Sequence, residues 1–114
     1  MINSKQKGAR SERAVAKILR EHGIESRRTA QYCGNSGDAA DVTWEGFHVE
    51  VKHRETTAIW SWLDQANSDA KDGDIPIVVF RKNHEKWQVC MDFEEFLELL
   101  GHHKLPFRDV ENEF

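Results

Sequence analysis

The feature that most constrains the fold is a six-residue apolar run at positions 75–80, Ile-Pro-Ile-Val-Val-Phe. A run of strand length that is rich in β-branched residues is typical of a central strand buried on both faces, and such a strand tolerates proline only near its start. Because both faces must then be covered, the run predicts an α/β protein in which helices flank a central sheet.

The segments around this run supply the other elements. Apolar residues at helical spacing predict helices at residues 9–22 and 57–71, and Asp92 is expected to cap a third helix that runs through Leu100. Strand patterns occur at residues 24–29, 42–44, 47–53 and 86–91. No repeat or low-complexity tract divides the 114 residues. We therefore expect a single domain, residues 1–114, with a mixed sheet and the order α-β-β-β-α-β-β-α.

Charge is distributed unevenly along the chain, although the net value is only -4. Residues 1–30 contain eight lysines and arginines and three glutamates, whereas residues 84–114 contain three basic and eight acidic residues. We expect a basic N-terminal arm at residues 1–8 and an acidic C-terminal tail at residues 102–114. The basic end could contact nucleic-acid phosphates, or both ends could be ordinary solvated faces.

Cysteine usage and hydropathy exclude several classes of protein. Cys33 and Cys90 lack a CxxC spacing, so neither a zinc knuckle nor a disulfide framework is indicated. No apolar run approaches the roughly 20 residues that a membrane helix requires. We expect a cytoplasmic protein without a membrane partner.

Glu12 is out of place in the helix predicted at residues 9–22. At about 100° per residue it falls within the apolar arc of Val15, Ile18 and Leu19. A buried carboxylate needs a cation, a hydrogen-bond partner or an edge position with access to water. The alternative is a glutamate at the helix start, where the helix dipole favours a negative charge.

A hairpin turn predicted at residues 45–46, Glu-Gly, places two carboxylates side by side. A two-residue turn would pair Asp41 with Glu50. Opposed residues on one face have Cβ atoms about 4.5–5.5 Å apart, and adjacent carboxylates repel unless a proton or a cation lies between them. Because oxygen ligands are typical of Mg²⁺ sites, this register predicts a divalent metal site.

Strand alternation places His48, Glu50 and Lys52 on one face of the strand at residues 47–53. Lys52 is not a ligand at neutral pH, but its charge can orient water or neutralise charge that develops on phosphorus. A Glu-x-Lys sequence alone is usually a salt bridge on a solvated face. Together with Asp41 and Glu12 it favours a metal-dependent nuclease, with His48 as an auxiliary residue or a bystander.

These residues resemble the motif of the PD-(D/E)xK nucleases, and among them the small Holliday junction resolvase-like endonucleases of archaea and phages. The resemblance covers most of the chain and rests on Lys7-Gly-Ala-Arg-Ser-Glu12, Ala40-Asp41, Glu50-Val51-Lys52, Gln65 and a strand that ends in basic residues. It implies a restriction-endonuclease-like core. It also implies that the three carboxylates and the backbone carbonyl of Val51 bind metal, and that Lys52 assists the attacking water. The catalytic residues are then Glu12, Asp41, Glu50 and Lys52.

The match departs from the motif at one position, because Ala40 stands where the family pattern has proline. Asp38 is therefore a competing candidate for the first acidic residue. Asp41 is preferred because of its pairing across the turn, which would fail if the turn were one residue longer. Gln65 matches a position near the site in related resolvases, or it is a surface glutamine.

The function we expect from the resemblance is a DNA endonuclease that hydrolyses phosphodiester bonds with Mg²⁺ or Mn²⁺, with branched DNA as its substrate. A homodimer is expected because symmetric cleavage of a four-way junction requires two sites. The alternatives are a flap or single-strand nuclease of the same fold and a nucleic-acid-binding module without cleavage. The candidates for contacts with the DNA backbone are Arg10, Arg13, Lys17, Arg27, Arg28, Arg81 and Lys82.

Overall fold

The computed structural model describes residues 4–29 and 40–102. Its helices are α1 (Ser4–Glu21), α2 (Ile59–Asp69) and α3 (Phe93–His102), and its strands are β1 (Phe47–His53), β2 (Ile75–Arg81) and β3 (Gln88–Met91). Asp38 and the tail beyond residue 102 lie outside the described residues. Among the described helices, none has the length and apolar character needed to cross a membrane.

The three strands form one mixed sheet in the order β1-β2-β3. β1 and β2 run parallel, with Glu50 opposite Val78, and β2 and β3 run antiparallel. α2 provides the crossover that a parallel pair requires. β2 is thus the central strand, as its apolar sequence predicted, and the α/β class with helices flanking a mixed sheet is confirmed.

Each face of the sheet is covered by a different helix. On one face Val15 of α1 packs in a core with Val49 and Ile77. On the other face Trp62 of α2 packs with Val78. Because side chains alternate along a strand, the residues of β1 that lie between the α1-facing positions lie on the α2 side.

Two segments predicted as strands, residues 24–29 and 42–44, are present only as isolated bridges. Arg28 pairs with Val42, and Val42 pairs in turn with Val49. The segment at residues 42–44 enters a turn after three residues, which leaves no length for a regular ladder. The regular elements therefore follow the order α-β-α-β-β-α, with the bridged segments at the outer edge of β1.

The helix boundaries differ from the prediction at the start of α1, at both ends of α2, which spans Ile59–Asp69, and at the end of α3, which continues past Leu100 to His102, whereas the start of α3 agrees. α1 begins at Ser4, so residues 4–8 of the predicted arm are helical. Lysine and glutamine favour helix there, and Gly8 costs only about 1 kcal/mol. At α3, the Oδ1 atom of Asp92 accepts a hydrogen bond from the backbone N–H of Glu95 at 3.0 Å, which is the expected cap.

Candidate active site

A tight turn sets how the segment before β1 pairs with that strand. The N–H of Phe47 donates to the carbonyl of Trp44 at 2.9 Å, and Gly46 has a φ of 87°. A positive φ at the third position of a β-turn favours glycine. The turn leads into the bridge between Val42 and Val49, which is the register that the sequence predicted.

Asp41 lies against the outer edge of β1, beside Glu50. The N–H of Asp41 donates to the carbonyl of Val49 at 2.8 Å. Its Oδ2 atom accepts a hydrogen bond from the N–H of Val51 at 2.7 Å. These two bonds reach the residues on either side of Glu50, so the two acidic residues are neighbours across the hairpin.

The same bonds establish the direction of the Val51 carbonyl. In a β-strand the N–H and the C=O of one residue point to the same side. The N–H of Val51 points away from β2, because it donates to Asp41 at the outer edge of β1. The carbonyl oxygen of Val51 therefore also points to the edge where the Asp41 carboxylate lies.

Glu50 is buried, with 2% of its surface exposed. Its Oε1 atom accepts a hydrogen bond from Nε2 of His48 at 2.8 Å. Among the described residues it forms no ion pair with Lys52. The Glu-x-Lys sequence is therefore not a salt bridge on a solvated face, which was the main alternative to an active site.

His48 contacts Glu50 directly and is itself buried, with 3% of its surface exposed. The hydrogen bond to Glu50 raises the pKa of His48, against the opposing effect of burial. The negative charges of Glu50, Asp69 and Asp41 act in the same direction as that hydrogen bond. The hydrogen bond from His48 fixes the orientation of the Glu50 carboxylate.

Lys52 is oriented by α2. Its Nζ atom donates to Oε1 of Gln65 at 3.2 Å. The face of β1 that carries Glu50 and Lys52 thus meets the face of α2 that carries Gln65. The resemblance implied that Gln65 lies near the site, and the structure brings the two side chains together.

Glu12 is 7% exposed and lies on the buried side of α1, as helix periodicity predicted. The Nε atom of Arg28 donates to its Oε1 atom at 2.6 Å. Arg28 lies in the bridged segment at residues 24–29, so this ion pair joins α1 to the outer edge of the sheet. Arg28 is therefore the cation that a buried Glu12 requires. The ion pair uses Oε1 of Glu12, and Oε2 of Glu12 takes no part in it.

We predict that Arg28→Met lowers the free energy of unfolding by about 1–3 kcal/mol, because it leaves the Glu12 carboxylate buried without its donor. Chemical denaturation measures the effect. Arg27→Met is the matched control, since Arg27 is exposed and lies one position earlier; it should cost at most about 0.5 kcal/mol. Equal effects of the two substitutions would contradict this account of Glu12.

One group of three potential ligands lies close together among the described residues: His48, Glu50 and Asp69 have ligand atoms within 4.8 Å of one another. Asp69 was not identified from the sequence. It lies four residues after Gln65 in α2, so helix spacing places it on the same face as a residue that was identified. Its proximity to Glu50 depends on how α2 packs on the sheet.

The basic residues predicted to contact DNA have different environments. Arg28 is held by Glu12, and the guanidinium carbon of Arg81 lies 5.0 Å from the ring centroid of Trp87. The others are exposed: Arg10, Arg13 and Lys17 on α1, Arg27 in the bridged segment at residues 24–29, and Lys82 directly after β2. The exposed members on α1 form a basic stripe at helical spacing.

Comparison with known proteins identifies the family of the chain. The model of a family described as "Phage putative PDDEXK endonuclease" matches residues 3–113. No curated protein matches the chain. The match spans both the helix that carries Glu12 and the hairpin that carries Asp41, Glu50 and Lys52. The chain belongs to the phage PD-(D/E)xK endonuclease family.

Proposed function

We propose that the protein is a Mg²⁺- or Mn²⁺-dependent endonuclease that hydrolyses phosphodiester bonds in branched DNA, acting in the cytoplasm of a bacterial or phage-infected cell. The observation that carries the proposal is the position of Asp41 beside Glu50, with hydrogen bonds to the residues before and after it. Where the carboxylates of two such neighbouring residues approach each other they repel, and a divalent cation between them removes that repulsion.

The residues fit a hard divalent ion. Asp41, Glu50 and the carbonyl of Val51 offer only oxygen, which Mg²⁺ and Mn²⁺ prefer, and Oε2 of Glu12 is a fourth candidate. When bound, the ion polarises a phosphoryl oxygen and lowers the pKa of water. A site with His48 and Asp69 would include a nitrogen ligand, which suits Zn²⁺ better than Mg²⁺.

The remaining residues have separate tasks in this proposal. Lys52 positions the attacking water and neutralises charge that develops on phosphorus, while Gln65 holds its amino group in place. His48 fixes the Glu50 carboxylate through their hydrogen bond. The exposed basic stripe on α1 binds DNA phosphates, with Arg27, Arg81 and Lys82 as further contacts.

The proposal is tested by incubating labelled four-way junction, flap, duplex and single-stranded DNA with the protein, in Mg²⁺ or in EDTA. We expect cleavage of the four-way junction that requires Mg²⁺. Preferential cleavage of flaps or single strands would contradict the four-way junction as the substrate, but it would still support a nuclease. Binding without cleavage of any substrate would contradict the enzyme and favour a non-catalytic DNA-binding module.

We propose further that the protein is a homodimer. Phe93, Phe96 and Leu97 of α3 are exposed, Phe93 by 70%, and their spacing places them on one face of the helix. An exposed apolar face of this kind is typical of a protein interface. A second copy of the chain would cover it and supply the second active site that symmetric cleavage requires.

We predict that Phe93→Ser combined with Leu97→Ser converts the dimer into a monomer, because the substitutions remove the apolar area that drives association. Light scattering coupled to gel filtration measures the mass. Trp60→Ser is the control, since Trp60 is 80% exposed on α2 and its loss should leave the dimer intact. A monomeric wild type, or a double variant that stays dimeric, would contradict the proposal.

A further inference from the structure

A cavity of about 310 Å³ lies between α1 and the carboxyl ends of β1 and β2. These two ends are adjacent because the strands are parallel. The side chains that matter here come from α1, the two strand ends and the residues that follow β2: Lys7, Arg10, His53, Arg81, Asn83 and Trp87. The cavity lies on the α1 side of the sheet, opposite the face that carries Glu50 and Lys52.

The side chains that line the cavity carry net positive charge, and the nearby Glu55 carboxylate accepts a hydrogen bond from the backbone N–H of Asn83 at 2.6 Å. Lys7, Arg10 and Arg81 line it and no carboxylate does, although the chain has 20 acidic and 16 basic residues. Within the described part of the chain, none of these three cations forms an ion pair. A concave site lined by cations alone attracts an anion.

Arg81 is held in place and retains an unused donor. Its guanidinium stacks on Trp87, and Nη1 donates to the carbonyl of Glu85 at 3.2 Å. Its Nε atom is buried and has no hydrogen-bond partner among the described residues. A buried donor without an acceptor is costly, so an acceptor that reaches this nitrogen would stabilise the arrangement.

The side chain of Asn83 adds an uncharged hydrogen-bond donor to the cavity, and its contact with His53 determines which of its atoms donates. Nε2 of His53 donates to Oδ1 of Asn83 at 2.8 Å, so Nδ1 accepts from the hydroxyl of Ser11 at 3.0 Å. With Oδ1 used, the amide nitrogen of Asn83 remains as a donor.

We propose that this cavity binds a phosphate group of the DNA substrate, which places an anchor for the strand next to the cleavage site. The inference rests on the proposed function. His53 directly follows Lys52 and lies three positions after Glu50 in β1, a distance of about 10 Å along the strand. Because the cavity lies on the other face of the sheet, a DNA strand whose scissile bond lies at the ion site would pass around the end of β1 to place a nearby phosphate in it, either internal or at a strand end.

The test is DNA affinity measured by fluorescence anisotropy in EDTA, across a range of salt concentrations. Lys7→Gln and Arg81→Gln should each weaken binding about 3- to 10-fold and reduce the slope of log K against log salt by about 1. Lys86→Gln is the matched control, since Lys86 is exposed and does not line the cavity. Thermal melting shows whether each variant is folded. If Arg81→Gln does not fold, the result for Lys7→Gln alone tests whether the cavity binds a phosphate.

A second pair of measurements identifies the source of the phosphate. If it is terminal, a 5′-phosphorylated strand binds more tightly than the 5′-hydroxyl strand, and Lys7→Gln removes the difference. If it is internal, the two strands bind alike and Lys7→Gln weakens both. The inference is overturned if Lys7→Gln matches Lys86→Gln in affinity and salt slope while the wild type binds and cleaves DNA. A wild type that neither binds nor cleaves overturns the proposed function instead.

Discussion

Replacing Lys52 with alanine should lower kcat for DNA cleavage by about 10²- to 10⁴-fold, the range typical of a residue that assists proton transfer to or from the reacting groups. The amino group of Lys52 is held by Gln65 at 3.2 Å on the face that carries Glu50. Alanine removes the charge but none of the proposed ligands. Single-turnover cleavage at saturating Mg²⁺ and saturating protein isolates this chemical step.

Lys71→Ala is the control for the Lys52 variant, because Lys71 is exposed beyond the end of α2 and has no proposed role. It should cleave at the wild-type rate, and both variants should bind DNA with nearly wild-type affinity. If Lys52→Ala cleaves as fast as Lys71→Ala, the face of β1 that carries Glu50 and Lys52 is not the catalytic face.

Replacing Asp41 with asparagine should abolish cleavage at millimolar Mg²⁺. The substitution keeps the shape of the side chain, and the asparagine oxygen can still accept the hydrogen bond from Val51. It removes the negative charge of a proposed ligand, so the affinity for a divalent ion should fall by more than the about 10- to 100-fold typical of losing an outer-shell partner. Cleavage measured against Mg²⁺ concentration shows the loss as a shift of the midpoint.

Asp69→Asn provides the matched comparison, since Asp69 is the aspartate whose carboxylate lies close to Glu50 and His48 in the described structure. If Asp41, Glu50 and the Val51 carbonyl hold the ion, Asp69→Asn should change the Mg²⁺ midpoint only a few-fold, through the loss of a nearby negative charge. A large shift for Asp69→Asn beside a small one for Asp41→Asn would assign the ion to His48, Glu50 and Asp69.

The parts of the fold that were predictable from the sequence are those with strong local patterns. The apolar run at residues 75–80 identified the central strand, because burial on both faces requires an unbroken apolar sequence. The turn at residues 45–46 indicated the bridge between Val42 and Val49, because turn length determines register. Helix periodicity identified the burial of Glu12.

The environment of the candidate site was not predictable, because it depends on packing between distant segments. Strand alternation shows which residues share a face but not which element covers that face. The burial of Glu50 and the approach of Asp69 follow from α2, whose position depends on the contact of Trp62 with Val78. Short bridged segments also carry too weak a pattern to separate them from regular strands.

The same reason explains why the partner of Glu12 was missed. Periodicity required a cation or a donor near Glu12, and Arg28 provides it from 16 residues away. Both residues were identified individually, one as a metal ligand and the other as a DNA contact. Their pairing follows from the bridge between Arg28 and Val42, which no local pattern indicated.

The central claim is that Asp41 and Glu50 hold a divalent ion, and the most direct test is Mn²⁺ binding measured by electron paramagnetic resonance without DNA. The account predicts saturable binding by the wild type, retained in Asp69→Asn and lost in Asp41→Asn. Retention in Asp41→Asn together with loss in Asp69→Asn would contradict it.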